Sequence, residues 1–429
     1  MADESAVSPS VMQDFVFGAL ESDESTLARE LQQWSGIRHS YAIDPLDPLP
    51  GQAVTLTVTV GRDVLVDRVA AYVTTDGSAP AGSRGHAENG VVYLLRRVET
   101  RFQPLYWDYA EVWQGEIPGQ PAGTHVRYYI EGWLNTGEGP SHWSHELRID
   151  GTSEPVTLYG YVVDRSAPPA WAHEAIVYQI LVDRFAPVPV GWLEPEVMED
   201  FVGGTLRGVI EALDYIAELG VTAIWLTPIF RSGSYHGYDT VDYLEIEPRF
   251  GTKDDLAELV AGAHARGLRV ILDFVANHSS DRFPPFQEAL ADPHNPYRQW
   301  FSFGPSYQHG YRCFFTAANM PQFSHDDPGA REYLLEAARY WLTEFGVDGY
   351  RLDYAAGPSH DFWSAFGQAC KEANPESWIF GEVTLGRNWL RTYVGRLDGC
   401  LDFGFTRQMR LLCAPGGALI PPSGFAAMV

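Results

Sequence analysis

With 429 residues, 45% hydrophobic and 20% charged, the chain has material for two or three domains and a large core, which excludes a disordered polypeptide. Its formal net charge of -26 excludes the basic footprint that nucleic-acid binding needs and reads as a solvated acidic surface. Thirteen Trp, 22 Tyr and 22 Phe suit sugar stacking and a large core equally, so composition does not choose. Cys313, Cys370, Cys400 and Cys413 show neither metal-ligand spacing nor a disulfide framework; they are expected to be reduced and mostly buried. The N-terminus, Met1-Ala-Asp-Glu-Ser-Ala-Val-Ser8, lacks a basic n-region and an apolar h-region, and no apolar run reaches membrane-spanning length. A cytoplasmic protein with no membrane partner is expected.

In chain order, Val11, Phe15, Leu20, Leu27, Leu31 and Trp34 predict a helix over 9–34. Residues 1–45 are therefore expected to form a helical arm, which could pack on a second copy in a homo-oligomer. Pro45, Pro48 and Pro50 mark a linker. Over 51–152 the pattern turns to period two: Val54, Leu56, Val58 and Val60 alternate with polar residues, and four more short strands follow between Gly, Pro and Asp turns. Strands so spaced predict a β-sandwich. Trp107, Trp113, Trp133 and Trp143 could form a sugar platform there, or belong to the core.

After the joint Ser166-Ala-Pro-Pro-Ala170, strands and helices alternate from 172 to 429, the signature of α/β architecture. The apolar run 175–185 predicts a strand buried on both faces. A helix is expected over 205–219, a strand at 221–227, and a further helix leading to the strand Leu268–Asp273. Residues 279–326 break the rhythm, and a long excursion inside a compact domain is usually functional. Asp327-Pro328 then caps an amphipathic helix, and Cys400–Phe405 is the sixth strand expected.

Chemistry concentrates in two short strands. Gly346-Val-Asp-Gly-Tyr-Arg-Leu-Asp-Tyr354 delivers Arg351 and Asp353 on one face, and Ile379-Phe-Gly-Glu-Val383 delivers Glu382. Two carboxyl groups at neighbouring strand ends suit glycosidic bond cleavage, which needs one ionised and one still able to donate a proton. Arg351 is expected to hold Asp353 ionised, because a nearby cation lowers an acid's pKa. Taken singly, each acid reads equally as a structural ion pair.

With Asp273-Phe-Val-Ala-Asn-His278 upstream, these segments resemble three of the four signature regions of the α-amylase family of glycoside hydrolases, nearest its neopullulanase and cyclomaltodextrinase branch. The resemblance implies a TIM (β/α)8-type barrel over 172–429, with a small inserted domain at 279–326, behind an immunoglobulin-like β-sandwich at 51–152. It assigns Asp353 as nucleophile and Glu382 as general acid and base in a retaining double displacement on α-glucans or malto-oligosaccharides, with Arg351 orienting Asp353. His236 and His278 resemble the histidines that bind hydroxyls of the scissile glucose, and Tyr238 the aromatic that stacks on it. Asp273 is expected to support the site, and Asn277 resembles a calcium ligand; no cofactor is required, with Ca2+ the one candidate.

Three departures stand out. Only about six strand–helix units can be read, so the barrel looks incomplete. No histidine follows Glu382, so the family's last signature, a His-Asp pair, has no match. Tyr354-Ala-Ala-Gly357 and Met320-Pro-Gln-Phe-Ser324 also differ from the branch's usual segments. Three readings are therefore carried forward: a hydrolase, an α-glucan transglycosylase, and a truncated non-catalytic glucan-binding protein. A metal-centred hydrolase is disfavoured, since no His-x-x-x-His pair occurs.

Overall fold

The structure, a computed structural model, describes residues 31, 34–104, 107–146, 156–164, 167–189, 191–194, 196–413, 417 and 419–428. The helix expected over 9–34 lies almost entirely outside the described residues. The end of the expected arm is not helical. Its residues form β1 (Ile37–Arg38) and β2 (Ile43–Asp44), which pair with β3 (Val54–Val60) and bury Ile37 and Ile43.

β3 buries every second residue, as the alternation of Val and Leu with Thr requires. The chain continues through β4 (Arg68–Thr74), the hairpin β5 (Ala81–Ser83) and β6 (His86–Asn89), and β7 (Val91–Gln103). It completes the sheet with β8 (Asp108–Ile117), β9 (Thr124–Trp133), β10 (His142–Trp143) and β11 (Tyr159–Val163). The hydrogen-bonded order is β1-β3-β8-β7-β4-β9-β10, with β2 on β3 and β11 on β9, nine strands in one antiparallel sheet. The first half of β7 pairs with β4 and the second with β8, so this strand joins two halves that share one core of Val58, Val73, Tyr128 and Tyr161. The unit runs to Val163, past the expected limit of 152. The four tryptophans do not make one platform: Trp113 and Trp133 are buried and Trp107 is exposed.

The second unit is a parallel sheet in simple sequence order, six strands forming part of a barrel. β12 (Val177–Ile180) and β13 (Ala223–Leu226) come first, followed by the antiparallel pair β14 (Phe230–Ser232) and β15 (Thr240–Ile246). β16 (Arg269–Phe274) is the third parallel strand. The excursion after it carries the hairpin β17 (Cys313–Phe314) and β18 (Ala317–Pro321). β19 (Gly349–Leu352), β20 (Trp378–Gly381) and β21 (Gly399–Cys400) complete the sheet. Helices cover its outer face and bury Trp341 and Trp363 completely, each such side chain contributing roughly 2–3 kcal/mol of hydrophobic stabilisation.

The cap expected at Asp327 is present, and a second helix start carries its own cap. Asp327 accepts from the N–H groups of Gly329 and Ala330, and Thr252 and Asp255 form a reciprocal capping box. Other boundaries moved. The helix expected over 205–219 breaks at Ala212 into Leu206–Glu211 and Leu213–Glu218. β12 is not buried on both faces; it is an edge strand, and Gln179 is exposed. The sixth strand is two residues long, and Phe403–Leu412 turns helical behind its cap Asp402. All four cysteines are free, but only Cys370 is buried. Among the described residues, no helix is long and apolar enough to cross a membrane.

The two units lock through one carboxylate. Asp361, in the helix His360–Ala373, is fully buried beneath β9. His125 Nε2 donates to Asp361 Oδ1 (2.8 Å), Arg127 Nη2 to Oδ2 (3.0 Å) and Arg331 Nη1 to Oδ2 (2.7 Å). Gly160 of β11 makes room: a Cβ there would stand 2.2 Å from Asp361 Oδ1. Next to it, His360 stacks on Tyr41 with centroids 3.6 Å apart. Arg331 first, then His125 and Arg127, hold the Asp361 carboxyl far below its ordinary value against the opposing effect of burial. The folded state therefore gains stability from this group above pH about 4, and loses it as pH falls below the unfolded value toward the folded one. Asp361→Asn is expected to cost roughly 3–5 kcal/mol in urea unfolding at pH 7, since two arginines lose their buried partner. That deficit should shrink as the pH is lowered below about 4.

Candidate active site

β16, β19 and β20 lie side by side in parallel, with Leu352 in register with Phe274 on one side and Gly381 on the other. Asp353 and Glu382 are the residues next after β19 and β20. The backbone pins them there: Asp353 N–H donates to Phe274 O (3.0 Å), Glu382 N–H to Leu352 O (2.9 Å) and Ala355 N–H to Glu382 O (2.9 Å). The two acids thus share one rim of the sheet, the carboxyl ends of the strands, where α/β barrels carry their active sites.

Arg351 joins the set. Its Nη1 donates to Asp273 Oδ1 (2.8 Å) and Asp353 Oδ1 (2.9 Å), and its Nη2 pairs with Glu382 Oε2 (2.7 Å). Three carboxyl groups share one guanidinium, which lies 5.1 Å from the Trp225 ring centre. Asp273 also accepts from Trp225 Nε1 (3.0 Å) and the Tyr238 hydroxyl (3.2 Å) on Oδ2. Glu382 Oε2 accepts from the Tyr354 N–H (3.1 Å). Asp353 and Glu382 keep 7% and 6% exposure, whereas Asp273 keeps 1%. The first two can meet a substrate; Asp273 can only hold Arg351.

Burial dominates the electrostatics. It pushes the Asp273 carboxyl up to about 7 and raises Asp353 and Glu382 above the usual carboxylate range, with Arg351 opposing in each case. Arg351 lowers the Asp353 carboxyl as expected, but burial raises it more, and the same cation also serves Asp273 and Glu382. Burial thus shifts the Glu382 carboxyl in the direction a general acid requires.

The other expected residues gather through Tyr238. His236 and Tyr238 sit between β14 and β15, an antiparallel pair the sequence did not reveal. His236 Nδ1 accepts from the Tyr238 N–H (3.1 Å), and His278 Nε2 donates to Tyr238 O (3.1 Å). Asn277 Nδ2 lies 3.2 Å from His278 Nδ1, so this histidine accepts on one nitrogen and donates on the other. Burial pushes His278 down to about 4 and also lowers His236, so both are neutral near pH 7. The structure adds Trp225, Tyr354 and Phe314, whose ring stacks on His278 at 4.7 Å. Trp225 shares a strand face with Ala223, a parity that points to packing and not to a site.

Asn277 Oδ1 is buried with no hydrogen-bond partner, and a Cβ on Gly357 would come within 2.1 Å of it. An orphaned amide oxygen suits a hard cation, but calcium takes six to eight oxygens. Among the described residues, no group of three or more His, Cys, Asp and Glu side chains is placed to hold a metal. The fit is poor, and no step below uses a metal.

Asp273 binds its proton more tightly folded than unfolded, where the ordinary value is about 3.9. The folded state therefore binds more protons between pH 4 and about 7, and this group's contribution to stability falls as pH rises through that window. Unfolding free energies of the chain and of Asp273→Asn, followed from pH 4.5 to 7.5, are expected to show the chain losing ground to the variant with rising pH. Parallel curves would contradict the shared-guanidinium description.

Residues 179–412 match the family model described as the α-amylase catalytic domain. The chain is 44% identical over 266 residues to "Alpha-amylase 2" of Dictyoglomus thermophilum, covering 62% of this chain and 47% of that protein. It is 37% identical over 323 residues to a cyclomaltodextrinase of a Bacillus species, covering 70% and 56%. A solved cyclomaltodextrinase superposes with a TM-score of 0.53 at 30% identity, covering 87% of this chain and 64% of that one. The chain spans about half the length of the curated relatives it matches. With most of this chain's parallel sheet and all of its candidate acids inside the matched segment, the chain belongs to the α-amylase family of glycoside hydrolases.

Proposed function

We propose that the chain carries the machinery of a retaining glycosidase acting on α-glucosidic bonds of malto-oligosaccharides or α-glucans. The observation that supports this most directly is the Arg351 guanidinium, which touches Asp353 with one nitrogen and Glu382 with the other at the ends of adjacent strands. In this reading the Asp353 carboxylate attacks the anomeric carbon while Glu382 gives its proton to the departing glycosidic oxygen. The anomeric carbon–oxygen bond breaks and a covalent glycosyl–Asp353 ester forms. Glu382, now ionised, takes a proton from water, whose oxygen displaces Asp353 and restores the original anomeric configuration. Two carboxyl groups spanned by one guanidinium are compatible with the short separation this course demands.

The surrounding residues fall into place around that chemistry. His236 and His278, kept neutral by burial, offer hydrogen bonds to sugar hydroxyls rather than charge. Tyr238 offers its ring, and Asp273 fixes Arg351 so that the guanidinium does not swing away when substrate enters. The N-terminal sheet is read as an immunoglobulin-like sandwich built from one hydrogen-bonded sheet.

A second reading has its own support. The segment shared with the curated relatives spans about half of their length and holds no histidine after Glu382, which suits a glucan-binding protein without turnover. Release of 4-nitrophenol from a chromogenic maltoside, with maltotriose products followed in parallel, separates the two. Glu382→Gln is expected to lower the rate about 10²–10⁴-fold, the usual worth of a general acid, and Asp353→Asn at least as much. A chain no faster than these two variants is not a glycosidase.

A further inference from the structure

A cavity lies away from the acids, at the seam between the two units. It encloses about 430 Å³, bounded by Asp47 and Val162 of the antiparallel unit and by Lys371, Leu390, Val394 and Arg396 of the barrel. Asp273, Arg351, Asp353 and Glu382 do not line it. Its size falls in the range of roughly 300–1,000 Å³ usual for small-molecule sites. Most charges around it are already committed. Lys371 Nζ pairs with Asp398 Oδ2 (2.8 Å), which also accepts from the Ile379 N–H (2.9 Å), and Asp402 caps the helix Phe403–Leu412. Two charges are not. Arg396 is only 4% exposed; its Nη1 donates to two main-chain oxygens, Leu46 O (3.0 Å) and Val394 O (2.8 Å), while its Nε has no partner. Among the described residues no carboxylate forms an ion pair with Arg396, and the Asp47 carboxyl makes neither a hydrogen bond nor an ion pair.

Burial works against both charges. It lowers the Arg396 guanidinium, with Tyr128, Tyr41 and Asp47 opposing, and raises the Asp47 carboxyl, helped by Asp164 and opposed by Arg396. The two groups feel each other without touching, and a buried charge left without a partner is costly. We propose that this cavity is a binding site for a small zwitterion, an α-amino acid with an apolar side chain, whose carboxylate meets Arg396 and whose ammonium meets Asp47. A simple anion would meet Asp47 and Asp164 as well as Arg396, a simple cation would meet Arg396, and a neutral sugar would leave both charges uncompensated. A zwitterion satisfies both at once, and Val162, Leu390 and Val394 give its side chain an apolar wall. Because Asp47 and Arg396 belong to different units, the bound ligand ties the units together and stabilises the folded chain. The site goes beyond the proposed reaction and stands whether or not Asp353 and Glu382 cleave a glucan.

The test uses the full chain with L-leucine, isocaproate (the same skeleton without the ammonium), isoamylamine (without the carboxylate) and maltose. Calorimetry is expected to show saturable binding of L-leucine, accompanied by a higher melting temperature, and binding at least about tenfold weaker for the other three. Asp47→Asn removes a charge on which no bond depends, and Val394→Trp intrudes on the cavity from a position 46% exposed. Both variants should melt like the unliganded parent and bind L-leucine at least about tenfold more weakly, the worth of one charge-assisted hydrogen bond. A parent that gives no saturable signal with L-leucine overturns the site. Equal binding of isocaproate or isoamylamine reduces it to a site for a single charge, and equal binding of maltose makes it a sugar site; each result overturns the zwitterion assignment. Parent-like affinity in both variants places L-leucine elsewhere and overturns it too.

Discussion

The site depends on an imbalance of charge under burial. Arg351 meets three carboxyl groups, and all four side chains are withdrawn from water. In a medium of low polarity, an ionised carboxyl group without a partner is costly, so protons are retained where an exposed cluster would release them. The same imbalance that would be a fault in a structural core is what acid catalysis needs. Asp273 carries much of the burden: Trp225 and Tyr238 donate to it, and its contact with Arg351 leaves the other guanidinium nitrogen for Glu382.

Much of this was readable in the chain. Arg351 and Asp353 stand two apart, so a strand must place them on one face, and the contact between them follows. The caps at Asp327 and Thr252 have side chains that satisfy the first helical N–H groups, a purely local rule. The failures share a cause. β14 and the two-residue β21 are too short to show a period, and β11 is buried along its whole length, so pairing partners far away in sequence define them. Sequence can show a cation beside an acid. It cannot count the other acids that the fold brings to the same cation, so the share of Arg351 left to Asp353 is not legible in the motif.

The pairing of β14 with β15 shows how fold supplies what motif reading lacks. His236 and Tyr238 sit in a loop whose ends are fixed by that pair, and the Tyr238 backbone partners both imidazoles, its N–H donating to His236 Nδ1 and its carbonyl accepting from His278 Nε2. The sugar-binding candidates are therefore held by main-chain geometry. The acids, by contrast, are held by the sheet itself. Loop and sheet meet at Asp273, where the Tyr238 hydroxyl and the Arg351 guanidinium converge.

The seam at Asp361 bears on how freely such units can be recombined. The carboxylate belongs to the parallel-sheet unit, while His125, Arg127 and the space left by Gly160 belong to the antiparallel one. A chimera that grafted a foreign N-terminal module onto this barrel would need to import all three features, or strand an anion in the joint. Modularity here is conditional: the boundary is a matched lock, and the two pieces must travel as a pair.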